Sequence, residues 1–100
     1  MLVLAKYLIS EVDSNYLYSL MYKVEALQFL ILYLMKEEES IQNNTILQQY
    51  KDEYLDYKQE LNMALECYKQ DYCTDSEIID KVKKVEFNYS TKELILYGMQ

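Results

Sequence analysis

From Leu17 onward, apolar residues recur at alternating spacings of three and four: Leu17, Leu20, Val24, Leu27, Ile31 and Leu34. That spacing keeps one stripe on one side of an α-helix for most of three heptads. A second stripe, Leu47, Tyr50, Tyr54, Tyr57, Leu61, Ala64 and Tyr68, repeats the alternation. Continuing the first repeat would place Glu38, Ile41, Thr45, Gln48 and Asp52 on its seam. Apolarity is then lost and the phase slips by one residue. The stripes therefore read as two helices, joined around Glu39 to Asn44 and packed as an antiparallel hairpin. The absence of proline and the single glycine fit long regular elements with few tight turns.

The ends of these helices carry their own signals. Ser10 or Ser14 can cap the first, and Glu11 and Asp13 suit its first turn. Thr45-x-x-Gln48 is a capping-box pattern that sets the start of the second. Met21, Phe29, Leu30, Leu32, Tyr33 and Met35 add apolar surface outside the first stripe. One partner helix cannot cover it all, so this helix is expected at the centre of the fold. One conflict is visible. Glu37, Glu38 and Glu39 fall at a helix C-terminus, where each negative charge is unfavourable by about 0.3–1 kcal/mol. Fraying or a cationic partner would relieve it.

Beyond Cys73, Thr74-x-x-Glu77 followed by Ile78, Ile79 and Val82 predicts a short third helix. The period then changes. Val85, Phe87 and Tyr89 alternate with Lys84, Glu86 and Asn88, as in a half-buried strand. Ser90 to Lys92 can turn, and Glu93 to Tyr97 is β-prone. This segment reads as a β-hairpin. The rival is a terminal helix capped by Ser90-x-x-Glu93 and closed by Gly98, which would give an all-α bundle. The N-terminal MLVLAKYLI can supply a third strand, which a lone hairpin needs for stability. The expected fold is a single helix-dominated α+β domain over residues 1–100: a long helical hairpin, a short helix and a small antiparallel sheet.

Composition removes many functions. With no histidine, the commonest general base and transition-metal ligand are missing, and Glu-x-x-His di-iron sites and Cys-His or Ser-His pairs are impossible. One glycine leaves no Gly-rich phosphate cradle. No cofactor, no metal and no catalysis are expected. Seventeen acidic against ten basic residues, a net charge of −7, disfavour direct nucleic-acid binding and docking on anionic membranes. The N-terminal stretch lacks the pattern of a signal peptide. The run from Ala26 to Met35, broken by Gln28, is too short to span a bilayer. Cys67 and Cys73, six residues apart, match no metal-ligand spacing and read as inert small hydrophobes in a reducing, cytoplasmic setting.

What remains is binding. On the second helix Asp52, Glu53, Asp56 and Glu60 cluster away from the tyrosine stripe. Carboxylates one helical turn apart, about 5–6 Å, can imitate a row of phosphates. An ordinary solvated face is the competing reading, since Lys51, Lys58 and Lys69 interrupt the acid and can pair locally, Asp52 with Lys58 or Glu66 with Lys69. Tyr50, Tyr54, Tyr57 and Tyr68 belong to the packing seam. Tyr16, Tyr18, Tyr22, Tyr33 and Tyr72 lie off the seams and suit an interface, Tyr72 being the expected free one of its stretch. The expected function is an acidic inhibitor or adaptor that binds a basic surface of a partner, such as a nucleic-acid-binding protein covered by a phage- or mobile-element-type inhibitor. Its partner-binding residues would be Asp52, Glu53, Asp56, Glu60, Glu37, Glu38, Glu39 and Tyr72. The alternative is a self-associating helical homodimer.

Overall fold

A computed structural model describes the backbone of residues 1–37 and 41–99, and the side chains of 1–36 and 45–99. The chain runs β1 (Leu2–Leu8), α1 (Glu11–Glu37), α2 (Ile41–Tyr72), α3 (Ser76–Lys81), β2 (Val82–Asn88) and β3 (Glu93–Gly98). This is the α+β arrangement, with the C-terminal segment a β-hairpin rather than a helix. The period-2 alternation outweighed the Ser90-x-x-Glu93 capping pattern because β3 gains a strand partner on each side.

The sheet is antiparallel with order β1-β3-β2. Leu94 lies between Tyr7 and Phe87 in register, and Leu96 between Ala5 and Val85. These residues share one face, and Leu94 and Leu96 are fully buried there. The other face carries Lys6, Ile95 and Glu86 in register. Both edge strands bulge at the same level. Leu4 is the extra residue in β1 and Lys83 the extra residue in β2, each near Tyr97 of β3. Such bulges twist an edge away from flat pairing with another chain.

Local chemistry sets most boundaries. The Ser10 hydroxyl accepts from the Asp13 amide at 3.1 Å, so Ser10, not Ser14, caps α1. Ser14 is fully buried instead, and its Oγ has no hydrogen-bond partner among the described residues. Asp75, not Thr74, caps α3, accepting from the Glu77 and Ile78 amides. A carboxylate there also suits the positive end of the helix. α2 starts at Ile41, so Thr45 is interior and the predicted capping box is not its beginning. Asn88 Oδ1 accepts from the Ser90 and Thr91 amides, closing the β-hairpin turn, in which Lys92 adopts φ 56°.

Two compact units are distinguishable, Met1–Tyr18 with Asn62–Gln100, and Ser19–Leu61. The first contains the sheet, α3 and the adjoining ends of the long helices. It holds nearly all the buried core: Ile9, Leu17, Cys73, Phe87, Leu94, Ile95 and Leu96. The Ile9 amide donates to the Lys92 carbonyl at 3.0 Å, and Tyr18 stacks on Tyr89 with centroids 4.1 Å apart. The second unit is the remainder of the helical hairpin. Its seam residues Val24, Leu27, Ile31, Leu34, Leu47, Tyr50, Tyr54, Tyr57 and Leu61 are all half-buried, as the two stripes predict. The expectation that α1 occupies the centre of the fold is corrected here. Phe29 is 74 % exposed and Tyr33 60 %, because nothing in that unit covers the far side of α1.

Candidate functional site

α2 sorts its side chains by helical angle. The tyrosine stripe turns inward to half-burial, while Asp52, Glu53, Asp56 and Glu60 are all exposed. Lys58 and Lys69, two of the lysines that interrupt this acid in the sequence, have partners elsewhere. The Lys58 ammonium donates to Tyr54 Oη at 3.3 Å and lies 5.4 Å from the centroid of that ring. Lys23 sits over the Tyr57 ring at 5.0 Å. Lys69 pairs with Glu66 at 2.6 Å, the one local compensation that formed as anticipated. Asp52 accepts from the Gln48 side-chain amide at 2.9 Å. Among the described residues, no lysine forms an ion pair with Asp52, Glu53 or Asp56. Cation–π attraction turns Lys58 and Lys23 toward tyrosine rings and away from Asp52, Glu53 and Asp56. Glu38, Glu39 and the Glu37 side chain lie outside the described residues.

Tyr72 is not free, contrary to its assignment to a binding face. Its hydroxyl donates to Asp13 Oδ2 at 2.6 Å and accepts from the Ser10 amide at 3.0 Å. It thus fastens the last turn of α2 to the first turn of α1. Tyr68 meets Tyr72 edge-on at 6.2 Å between centroids. The Tyr72 hydrogen bond, helped by Ser10 and Tyr68, holds the Asp13 carboxyl below its ordinary pKa. Burial, then the Asp13 charge, pushes the Tyr68 hydroxyl up to about 12. This cluster is structural, and it carries a pH signature. A folded-state pKa below the unfolded value of about 3.9 stabilises the protein above that pH and ceases to do so as pH falls through the folded value. Tyr72→Phe removes a hydrogen bond to a charged group and is expected to destabilise by about 1–3 kcal/mol at pH 7. The difference from wild type should shrink in urea titrations taken progressively below about pH 4.

The cysteines part company. Cys73 is buried and accepts from Tyr7 Oη at 3.3 Å, a bond that raises the Tyr7 pKa, whereas Cys67 is exposed and so is no buried hydrophobe. Among the described residues no three Cys, Asp or Glu side chains lie close enough together to hold a metal ion. On the outer sheet face Lys84 pairs with Glu86 at 2.8 Å beside Met1 and Tyr97, lining a hollow of about 310 Å³.

α1 carries a second exposed face. Tyr22, Glu25, Ala26, Phe29, Leu32, Tyr33 and Lys36 are all exposed and follow a 3-4 spacing on α1, offset from the buried stripe. Tyr22 and Tyr33 are among the off-seam tyrosines expected to suit an interface, whereas Phe29 and Leu32 were expected to be covered by a central position of α1.

The fold and its faces define a helix-dominated α+β protein with a long helical hairpin. Comparison with known protein families, curated proteins and solved structures found no match.

Proposed function

We propose that this chain is a small acidic interaction protein, acting by binding rather than catalysis, whose α2 face Asp52, Glu53, Asp56 and Glu60 engages a basic surface of a partner protein. The observation that carries this reading is the segregation of charge on α2. Asp52, Glu53 and Asp56 are exposed without a lysine counter-ion among the described residues, while Lys58 and Lys69 of α2 are held by Tyr54 and Glu66 and Lys23 of α1 lies over Tyr57. An exposed row with one carboxylate per turn, about 5–6 Å apart, presents charge much as a phosphate backbone does. A nucleic-acid-binding protein covered by an inhibitor of this kind is the concrete version. The unpaired thiols Cys67 and Cys73 support a reducing, cytoplasmic setting.

The test compares the wild type with a variant carrying Asp52→Asn, Glu53→Gln, Asp56→Asn and Glu60→Gln. Immobilised wild type should retain basic proteins at about 0.02 M salt and release them by about 0.5 M, where screening reaches a few ångströms. The neutralised variant should retain none of that set. Equal retention by both proteins, or retention that ignores salt, would refute the reading.

A further inference from the structure

The outward stripe of α1 is self-complementary. Phe29 (74 % exposed), Leu32 (50 %), Tyr33 and Ala26 form its middle, and its flanking positions carry opposite charges, Glu25 and Lys36. Neither charge forms an ion pair with another described residue. They are eleven residues apart, about 16 Å along the helix.

We propose that this face docks a second copy of the chain, with the two α1 helices antiparallel about a two-fold axis between Leu30 and Ile31. That register sets residue i against residue 61 − i of the other copy. Phe29 then meets Leu32 of the second copy, and Leu32 meets its Phe29. At both ends Glu25 meets Lys36 of the second copy. Ala26 and Tyr33 of the second copy fall on the same side of the seam, two residues out of direct register, a small residue next to a large one. These are the facing layers of an antiparallel helical seam, capped by an ion pair at each end. Polar pairs at such positions fix register and orientation.

Charge decides among occupants. A parallel copy would set Glu25 against Glu25 and Lys36 against Lys36. A bilayer would pair neither charge. That alternative is a real one physically. α1 over Glu11–Lys36 is long and apolar enough by length and composition to cross a membrane, which exceeds the expectation drawn from the run Ala26 to Met35 alone. Only 11 % of that stretch is buried, so it is not a helix sequestered in a core. The two-fold contact covers the stripe and satisfies both charges at once. It uses none of the α2 carboxylates, so its success or failure is separate from that of the proposed partner-binding face.

Sedimentation equilibrium should show a monomer–dimer transition with a dissociation constant of about 1–100 μM, as suits a contact smaller than the standard interface of about 1,600 Å². Glu25→Lys and Lys36→Glu, both at exposed positions, should each weaken the dimer about tenfold or more, because each turns two attractions into two repulsions. The decisive result is restoration. An equimolar mixture of the two single variants should dimerise, and so should the double variant Glu25→Lys/Lys36→Glu. Circular dichroism of each variant checks that it remains folded. A wild type that stays monomeric at about 1 mM overturns the proposal. So does a dimer indifferent to both reversals. So does flotation of a monomeric wild type with phosphatidylcholine vesicles, which would give the stripe to a membrane.

Discussion

Replacing Leu96 by alanine is expected to lower the stability of this protein by about 2–5 kcal/mol, the range for deleting a fully buried leucine side chain. Leu96 has no solvent exposure and sits on the central strand with Ala5 on one side and Val85 on the other. A central strand cannot easily collapse into the space left, since its backbone is pinned by hydrogen bonds to both neighbours. A domain of this size has about 5–15 kcal/mol in total, so the loss is a large share of the whole. In urea the midpoint should fall with little change in slope, and the melting temperature should drop by roughly 4–8 °C per kcal/mol. Leu27→Ala on the hairpin seam is the informative comparison. Leu27 is only half-buried, so it removes less surface from contact and should cost clearly less. If Leu27→Ala proved the more damaging, the centre of stability would lie in the hairpin and not under the sheet.

That contrast bears on what the sequence could disclose. The two seams were legible because periodicity reports directly on which side of a helix is covered. The seam residues from Val24 to Leu61 are half-buried while most of their neighbours off the stripe are exposed, Leu30 and Lys51 being the exceptions. Periodicity does not report how deep the cover is, or whether a second partner exists. Phe29 and Leu32 look like core on composition, yet they face outward. The strand assignments succeeded because Val85 and Phe87 alternate with charged residues. Helix starts slipped where two capping residues adjoin, as with Thr74 and Asp75. There, only geometry tells which side-chain oxygen reaches the Glu77 and Ile78 amides. The bonds of Tyr72 to Ser10 and Asp13 join residues 62 and 59 positions apart, and no local pattern encodes such a pair. The acidic face was legible as a cluster. That no lysine pairs with Asp52, Glu53 or Asp56 among the described residues was not, because it depends on Lys58 and Lys23 turning to tyrosine rings.

The lone glycine supplies the second large effect, and its sign is the point. Gly98 was readable as the closing residue of a terminal helix, but it ends β3 instead, facing Leu2 on one edge and Val82 on the other. In an ordinary strand position, alanine for glycine stabilises by about 0.4–1 kcal/mol through the unfolded state. Here a Cβ would stand 2.8 Å from Leu4 Cδ1 and 3.0 Å from the Lys81 carbonyl oxygen. Leu4 is the bulged residue of β1, so the bulge and the glycine fit one another: the extra residue places its side chain where β3 has none. Gly98→Ala should therefore destabilise by about 1–3 kcal/mol, and Gly98→Val by more. The Leu4 contact can relax, because it involves the end of a flexible side chain. The Lys81 carbonyl belongs to the backbone where α3 passes into β2 and cannot. Leu4→Ala in the Gly98→Ala background should consequently recover part of the loss but not all of it, a positive coupling measurable in a double-mutant cycle by urea unfolding. Strict additivity of the two changes would mean that Leu4 does not crowd this position. A stabilising Gly98→Ala would mean that the strand end is open, and that the close approach of β1, β3 and the α3–β2 junction does not hold in solution.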